Sequence, residues 1–193
     1  MPYSKSHKQQ TRQRMLMSAV KLFTRRGFDN TSIDEVMADA DLTRGAFYAH
    51  FKSKQELYAE AIASTLVFSP LTRPREADVD EKTWLVGLIN AYLHRKHVAD
   101  AEMPCPLAFL ATDVALQDPA SRQAYAGVFK KMNKMFQAYI RKFSSADNET
   151  VMAVTAMMIG GVAIARTLDE GAGRNQLLKS CRQQALALLG VQE

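Results

Sequence analysis

The chain has 193 residues, 47% of them apolar, with a formal net charge of +5. That allows one domain, or a small one joined to a larger one, with a sizeable core. Two cysteines, Cys105 and Cys181, are too few and too separated for a disulfide framework, and no Cys-x-x-Cys or His/Cys cluster points to zinc.

Met1 to His7 reads as a mobile arm, and it lacks the apolar core of a signal peptide, so the expected compartment is the cytoplasm. A helix follows from about Lys8 to Arg26 with Leu16, Ala19, Val20 and Phe23 on one face, and Gly27 stops it at the C′ position. Residues 1–26 hold Lys5, Lys8, Arg12, Arg14, Lys21, Arg25 and Arg26 and no Asp or Glu. A one-sign arm is the electrostatic footprint of a polyanion partner, with a merely solvated helix face as the plainer reading. Lys8 and Arg12 could reach phosphates.

Ser32 is placed to cap a short helix, with Glu35 three residues on closing a capping box. Ile33, Val36, Met37 and Ala40 give that helix one apolar face. Asp41-Leu42 breaks the pattern, and Asp tolerates a left-handed turn position. Thr43 caps a second short helix, Leu42 is spaced to staple against Phe47, and Phe47 and Phe51 share its buried side. Arg44, Gly45, Ala46, Tyr48 and His50 are left on the outer side or at the start.

Helix, tight turn and helix with a polar, basic outer face suit DNA binding, although a helical hairpin of an ordinary α domain has the same spacing. The candidate contact set is Ser32, Thr43, Arg44, Gly45, Ala46, Tyr48, His50, Lys52 and Lys54. Arg44 has the fork geometry for a guanine edge, and Tyr48, His50, Lys52 and Lys54 are donors suited to phosphate oxygens. Ser53-Lys54-Gln55-Glu56 forms a second capping box, opening a helix to about Val67 with Leu57, Ala61, Ile62 and Leu66 inward. Its start is a phosphate clamp by position.

Residues Thr31-Ser32-Ile33 and the run from Leu42 to Leu57 resemble the N-terminal signature of TetR/AcrR-family transcriptional repressors. The resemblance covers about the first third of the chain and departs at Asp41, where the family usually has Gly. It implies an all-α chain: a three-helix helix-turn-helix DNA-binding head over 1–54, a linking helix over about 53–67, and a ligand-binding and dimerisation body over 68–193. It implies too that the tilt of the linking helix transmits ligand binding, and that the last two helices pair with their copies in a second subunit.

Phe68 to Val79, with Pro70 and Pro74, reads as the boundary. A helix is expected from about Asp80 to Ala99 with Trp84, Leu85, Leu88, Ile89 and Tyr92 inward. His94 and His97 could share a metal, but no third ligand is suitably spaced, and they read as solvent-facing. Asp100 to Pro106 is a loop, and Pro106 starts a short helix bearing Leu107, Phe109, Leu110 and Val114 that ends before Asp118-Pro119. Cys105 would sit at its N-terminus, where a helix dipole favours thiolate; a small residue that fits the turn is the alternative. A helix from about Pro119 to Phe143 carries Tyr125, Val128, Phe129, Met132, Phe136, Ile140 and Phe143. That stripe is first of all core, and it could also line an adaptable pocket.

Two helices close the chain, over about 148–168 and 174–189. The apolar run Val151 to Ala165 is shorter than the ~20 residues a membrane span needs, and a buried helix is expected, with Gly160, Gly161, Ala163 and Ala165 allowing close approach.

The reading is a homodimeric repressor that binds a roughly palindromic double-stranded operator and is released by an apolar or aromatic small-molecule effector. The candidate pocket set is Trp84, Tyr92, Cys105, Phe109, Phe129, Met132 and Phe136. The alternative is a thiol-based sensor using Cys105. No nucleophile–base motif, carboxylate pair or phosphate loop suggests an enzyme, and no cofactor, metal or membrane partner is expected.

Overall fold

A computed structural model describes residues 5–68, 75, 78–100 and 104–191, and all regular structure among them is helical. The arm as far as Ser4, most of the boundary segment Phe68–Val79 and the side chain of Leu66 lie outside the described residues. In chain order the helices are α1 (Lys5–Arg26), α2 (Ile33–Asp39), α3 (Arg44–Tyr48), α4 (Lys54–Phe68), α5 (Glu81–Tyr92), α6 (Arg95–Ala99), α7 (Pro106–Phe109), α8 (Ala111–Ala115), α9 (Pro119–Ile140), α10 (Asn148–Thr167) and α11 (Ala172–Leu188). They pack as two compact units, Met1–Val67 with Ala101–Val128, and Phe68–Asp100 with Phe129–Glu193. The sequence reading placed a boundary at residue 68 but did not foresee the return of 104–128 to the N-terminal unit.

In the first unit α1 packs on α2 and α7, and α2 on α3. Met15, Ala19, Val20 and Phe23 of α1, Val36 and Met37 of α2, Phe47, Phe51, and Leu57, Tyr58 and Ile62 of α4 make one buried core. Phe23, Phe28 and Tyr58 close its far end, the Tyr58 ring meeting Phe23 edge-on at 4.8 Å and Phe28 at 5.1 Å. α1 ends as expected at Gly27, whose φ of +78° is open to glycine at little cost.

A carboxylate from α8 binds this end together. Asp113 Oδ1 accepts from the Phe28 backbone N–H at 3.1 Å, and Oδ2 accepts from the Tyr58 hydroxyl. Burial first, then the Asp113 carboxylate, push the Tyr58 hydroxyl far above its ordinary pKa, so it stays a donor.

The second unit is built on α10, which packs against α11, α5 and α6. Its buried face holds Val151, Val154, Thr155, Met158, Val162 and Ala165. The helix spans 20 residues, close to the expected 148–168, and unlike the run 151–165 alone it is long and apolar enough to cross a membrane, but these six positions pack as those of a core helix do. Gly161 allows the closest approach: a Cβ there would lie 2.9 Å from Cys181 Sγ and 3.4 Å from Leu93 Cδ2. Gly160 faces open space instead. Asn133 and Thr155 form a buried polar pair, the Thr155 hydroxyl donating to Asn133 Oδ1 at 2.8 Å while Asn133 Nδ2 donates to the Phe129 carbonyl. Each needs the other, and this fixes the register of α9 on α10.

Two expected helices are broken. The helix expected over 80–99 divides at Leu93-His94, because His94 turns extended and its Nδ1 accepts from the Lys96 N–H at 3.2 Å, capping a new helix. His97 was expected to face solvent; its ring instead packs 4.6 Å from that of Tyr92, and burial lowers its pKa. The helix beginning at Pro106 kinks at Leu110 (φ −109°, ψ 2°) and becomes α7 and α8.

Candidate nucleic-acid interface

The first helix of the pair begins as its sequence dictates. The Ser32 hydroxyl accepts from the Glu35 N–H at 3.2 Å, and Glu35 Oε2 accepts from the Ser32 N–H at 2.8 Å, completing the capping box. That Ser32 N–H and the Ser32 hydroxyl, which also meets Oε2 at 2.8 Å, hold the Glu35 carboxyl below its ordinary pKa, helped by Arg26.

α2 ends in a Schellman motif, with the Asp41 N–H bonded to the Ala38 carbonyl at 3.0 Å and the Leu42 N–H to that of Met37 at 2.9 Å. Asp41 occupies its left-handed position at φ +52°. Arg14 of α1 steadies the turn, donating to the Ala40 carbonyl at 2.6 Å and the Asp41 carbonyl at 3.1 Å. The Arg14–Asp41 carboxylate contact is exposed at 3.4 Å and adds little. Backbone strain therefore decides substitutions here. Asp41→Gly should stabilise the chain by up to about 1 kcal/mol and Asp41→Val destabilise it by about 1–2 kcal/mol. Thermal melts read both.

α3 turns one side inward and the other outward over five residues. Phe47 is 0% exposed, whereas the adjacent Tyr48 is 60% exposed. Ser32, Thr43, Arg44, Gly45 and Lys52 are exposed, and Ala46, His50 and Lys54 half-buried. Thr43 holds the N-cap position, but contrary to expectation its side chain makes no cap bond. The Ala46 N–H goes to the Thr43 backbone carbonyl at 3.0 Å instead, in a tight first turn.

Arg44 Nη1 donates to Asp34 Oδ2 at 2.7 Å. The Tyr48 hydroxyl, accepting from the guanidinium, and the Asp34 carboxylate both raise the Arg44 pKa. His50 has its pKa lowered by burial, then by Lys8 and Arg12, and its Nδ1 is enclosed without a partner. Lys54 Nζ lies 4.2 Å from the centre of the Phe28 ring. The second capping box differs from expectation. Ser53 Oγ accepts from the Glu56 N–H at 3.1 Å, but the Glu56 carboxylate accepts from the Lys52 N–H at 2.5 Å, one residue before the cap.

The basic arm is less bare than its sequence suggests. Arg12 pairs with Glu60, Lys21 with Asp39 at 3.2 Å and Arg26 with Glu35 at 2.7 Å. Lys8 and Lys52 have no ion-pair partner among the described residues. Arg14 and Asp34, each engaged by a residue 26–27 or 10 positions away, were absent from the sequence-based set. No local signal could have revealed them.

The expected pocket residues are divided between the units. Cys105 and Phe109 belong to the first, and Trp84, Tyr92, Phe129, Met132 and Phe136 to the second. Met132 and Phe136 are wholly enclosed, Tyr92 is buried, and the Trp84 ring lies 4.3 Å from Tyr139. Cys105 is 9% exposed at the N-cap of α7, a helix of four residues and thus few aligned peptide dipoles. The half-buried Tyr125 donates through its hydroxyl to the Leu107 carbonyl at 2.6 Å, and burial, then Cys105, push its pKa up to about 12.

Residues 16–61 match the sequence model of the family described as bacterial regulatory proteins, tetR family. The HTH-type transcriptional regulator AcrR of Shigella flexneri is 44% identical over 57 residues, which are 30% of this chain and only about a quarter (26%) of AcrR. The fold is shared more widely. The reduced form of E. coli NemR superposes with a TM-score of 0.74 at 14% identity, over 91% of this chain and 95% of that one. A TetR transcriptional regulator from Chloroflexus aurantiacus J-10-FL superposes with a TM-score of 0.73 at 19% identity, over 96% of each chain. Residues 16–61 thus carry the signature of the tetR family of bacterial regulatory proteins, and the chain as a whole has the fold of the Chloroflexus aurantiacus TetR regulator.

Proposed function

We propose that the chain is a homodimeric, ligand-responsive repressor whose α3 reads a roughly palindromic operator. The observation that carries this is the division of α3, with Phe47 fully enclosed and Arg44, Gly45 and Tyr48 turned outward from a rigidly capped turn. Arg44 would meet a base edge, while Thr43, Tyr48, Lys52 and the start of α4 hold phosphates. Two such heads on a twofold axis would read half-sites about one helical turn, or a multiple of it, apart.

The second subunit is suggested by α10. Met152, Ala153, Ala156, Met157, Gly160, Ala163 and Ile164 form a charge-free face that is exposed or half-exposed in the single chain, and Met152 and Ile164 are both more than half exposed. A large apolar face of this kind calls for a partner. Ile164→Lys should weaken self-association by about 2 kcal/mol, or ~30-fold, and light scattering at micromolar concentration should then find monomer.

An apolar or aromatic effector would lodge among Trp84, Tyr92, Phe129, Met132 and Phe136 of the second unit, and its binding must favour the form with lower DNA affinity. The second reading, thiol sensing, is favoured by Cys105 at its helix cap beside the half-buried Tyr125. One titration separates the two readings: the full chain on duplex from its own upstream region, challenged with apolar compounds and then with N-ethylmaleimide. Release by apolar compounds that Cys105→Ser leaves intact supports the pocket. Release only by the electrophile, abolished in Cys105→Ser, supports the thiol, and binding to no upstream duplex contradicts the repressor.

A further inference from the structure

An anion from α2 stands against the exposed outer face of α3. Asp34 is the second residue of α2, Arg44 the first residue of α3, and their side chains meet at 2.7 Å with 59% and 62% of their surfaces exposed. The next carboxylate, Glu35, is engaged by Ser32 and Arg26. The group best suited to read a base is thus held by a carboxylate on the neighbouring helix.

We propose that Asp34 is a specificity-determining residue, an internal anion that occupies Arg44 until a base edge with two acceptors displaces it. The inference rests on the DNA-reading role of α3 given above. An exposed ion pair is a weak contact, of the same order as one surface contact to a phosphate. On arbitrary DNA, Arg44 gains little by exchanging Asp34 for a phosphate, and the abandoned carboxylate then faces a polyanion. A guanine edge presents O6 and N7 in the geometry of the fork, so the exchange is favourable there. Asp34 therefore subtracts more from cognate binding, where Arg44 must leave it, than from random binding, where Arg44 stays with it and forgoes only a weak phosphate contact. The plainer role of Asp34, an acidic residue in the first turn of α2, affects stability but leaves that ratio alone.

The experiment is a double-mutant cycle with D34N, R44A and D34N/R44A, after melts show each variant folded. The probes are a duplex selected from a random pool by the unaltered full chain and a scrambled duplex of the same composition, at one salt concentration. D34N should tighten binding to the selected duplex by about threefold or more and to the scrambled duplex by less, raising the discrimination ratio, and in the R44A background it should leave the ratio unchanged. An unchanged ratio for D34N overturns the proposal. So does the same gain with and without Arg44, because the carboxylate then acts by plain repulsion. If the unaltered chain enriches no sequence from the pool, the DNA-reading role itself fails and takes this inference with it, an outcome distinct from the other two.

Discussion

Gly27→Ala should lower the stability of the chain by about 2–3 kcal/mol, a fall of roughly 5–10 °C in melting temperature. Two causes act together. The backbone at φ +78° is in the left-handed region, where a Cβ costs about 1 kcal/mol. That Cβ would also lie 2.8 Å from Asp113 Oδ1, which cannot retreat without loosening its 3.1 Å bond to the Phe28 N–H. Asp113→Ala should cost about as much by another route, because it strands the Phe28 N–H and the Tyr58 hydroxyl in a half-buried site. Asp113→Asn should cost less, since its amide can still accept from one and donate to the other's oxygen. An unchanged melting temperature for Gly27→Ala would show that the carboxylate swings aside freely.

The second large effect concerns recognition. Arg44→Ala should weaken binding to a selected duplex by about 10- to 100-fold, the value of a bidentate base contact of roughly 1–3 kcal/mol, while binding to scrambled duplex changes much less. Leaving Asp34 at 2.7 Å sets part of that gain aside, so the lower half of the range is expected. Sequence choice should relax at one position per half-site. An equal loss on both duplexes would make Arg44 a phosphate contact.

The parts legible in the sequence are those whose causes are local. Ser32 and Glu35, Asp41 in its left-handed turn, Gly27 at the end of α1 and the inward Phe47 and Phe51 all act within a few residues of themselves, and the structure has each as spacing predicts. What the sequence hid acts at a distance or through competition. Asp113 reaches Phe28 and Tyr58 across 85 and 55 positions, and carboxylates of α2 and α4 engage cations of an arm that looked bare. His94 broke an expected helix because its ring competes for a backbone N–H, an outcome that apolar periodicity does not register. Glu56 chose the Lys52 N–H over that of Ser53, a shift of one residue between nearly equivalent donors. The pocket set was legible only as helix faces, which do not say which unit a face joins.

A hydroxyl-radical footprint of the full chain on a duplex selected from a random pool tests the central claim most directly. Two protected patches on one face of the duplex, centred about 34–36 Å or a multiple of that apart, are expected, with both patches weakened at the same protein concentration in Arg44→Ala. A pool that yields no enriched sequence, or one continuous footprint indifferent to Arg44→Ala, would contradict it.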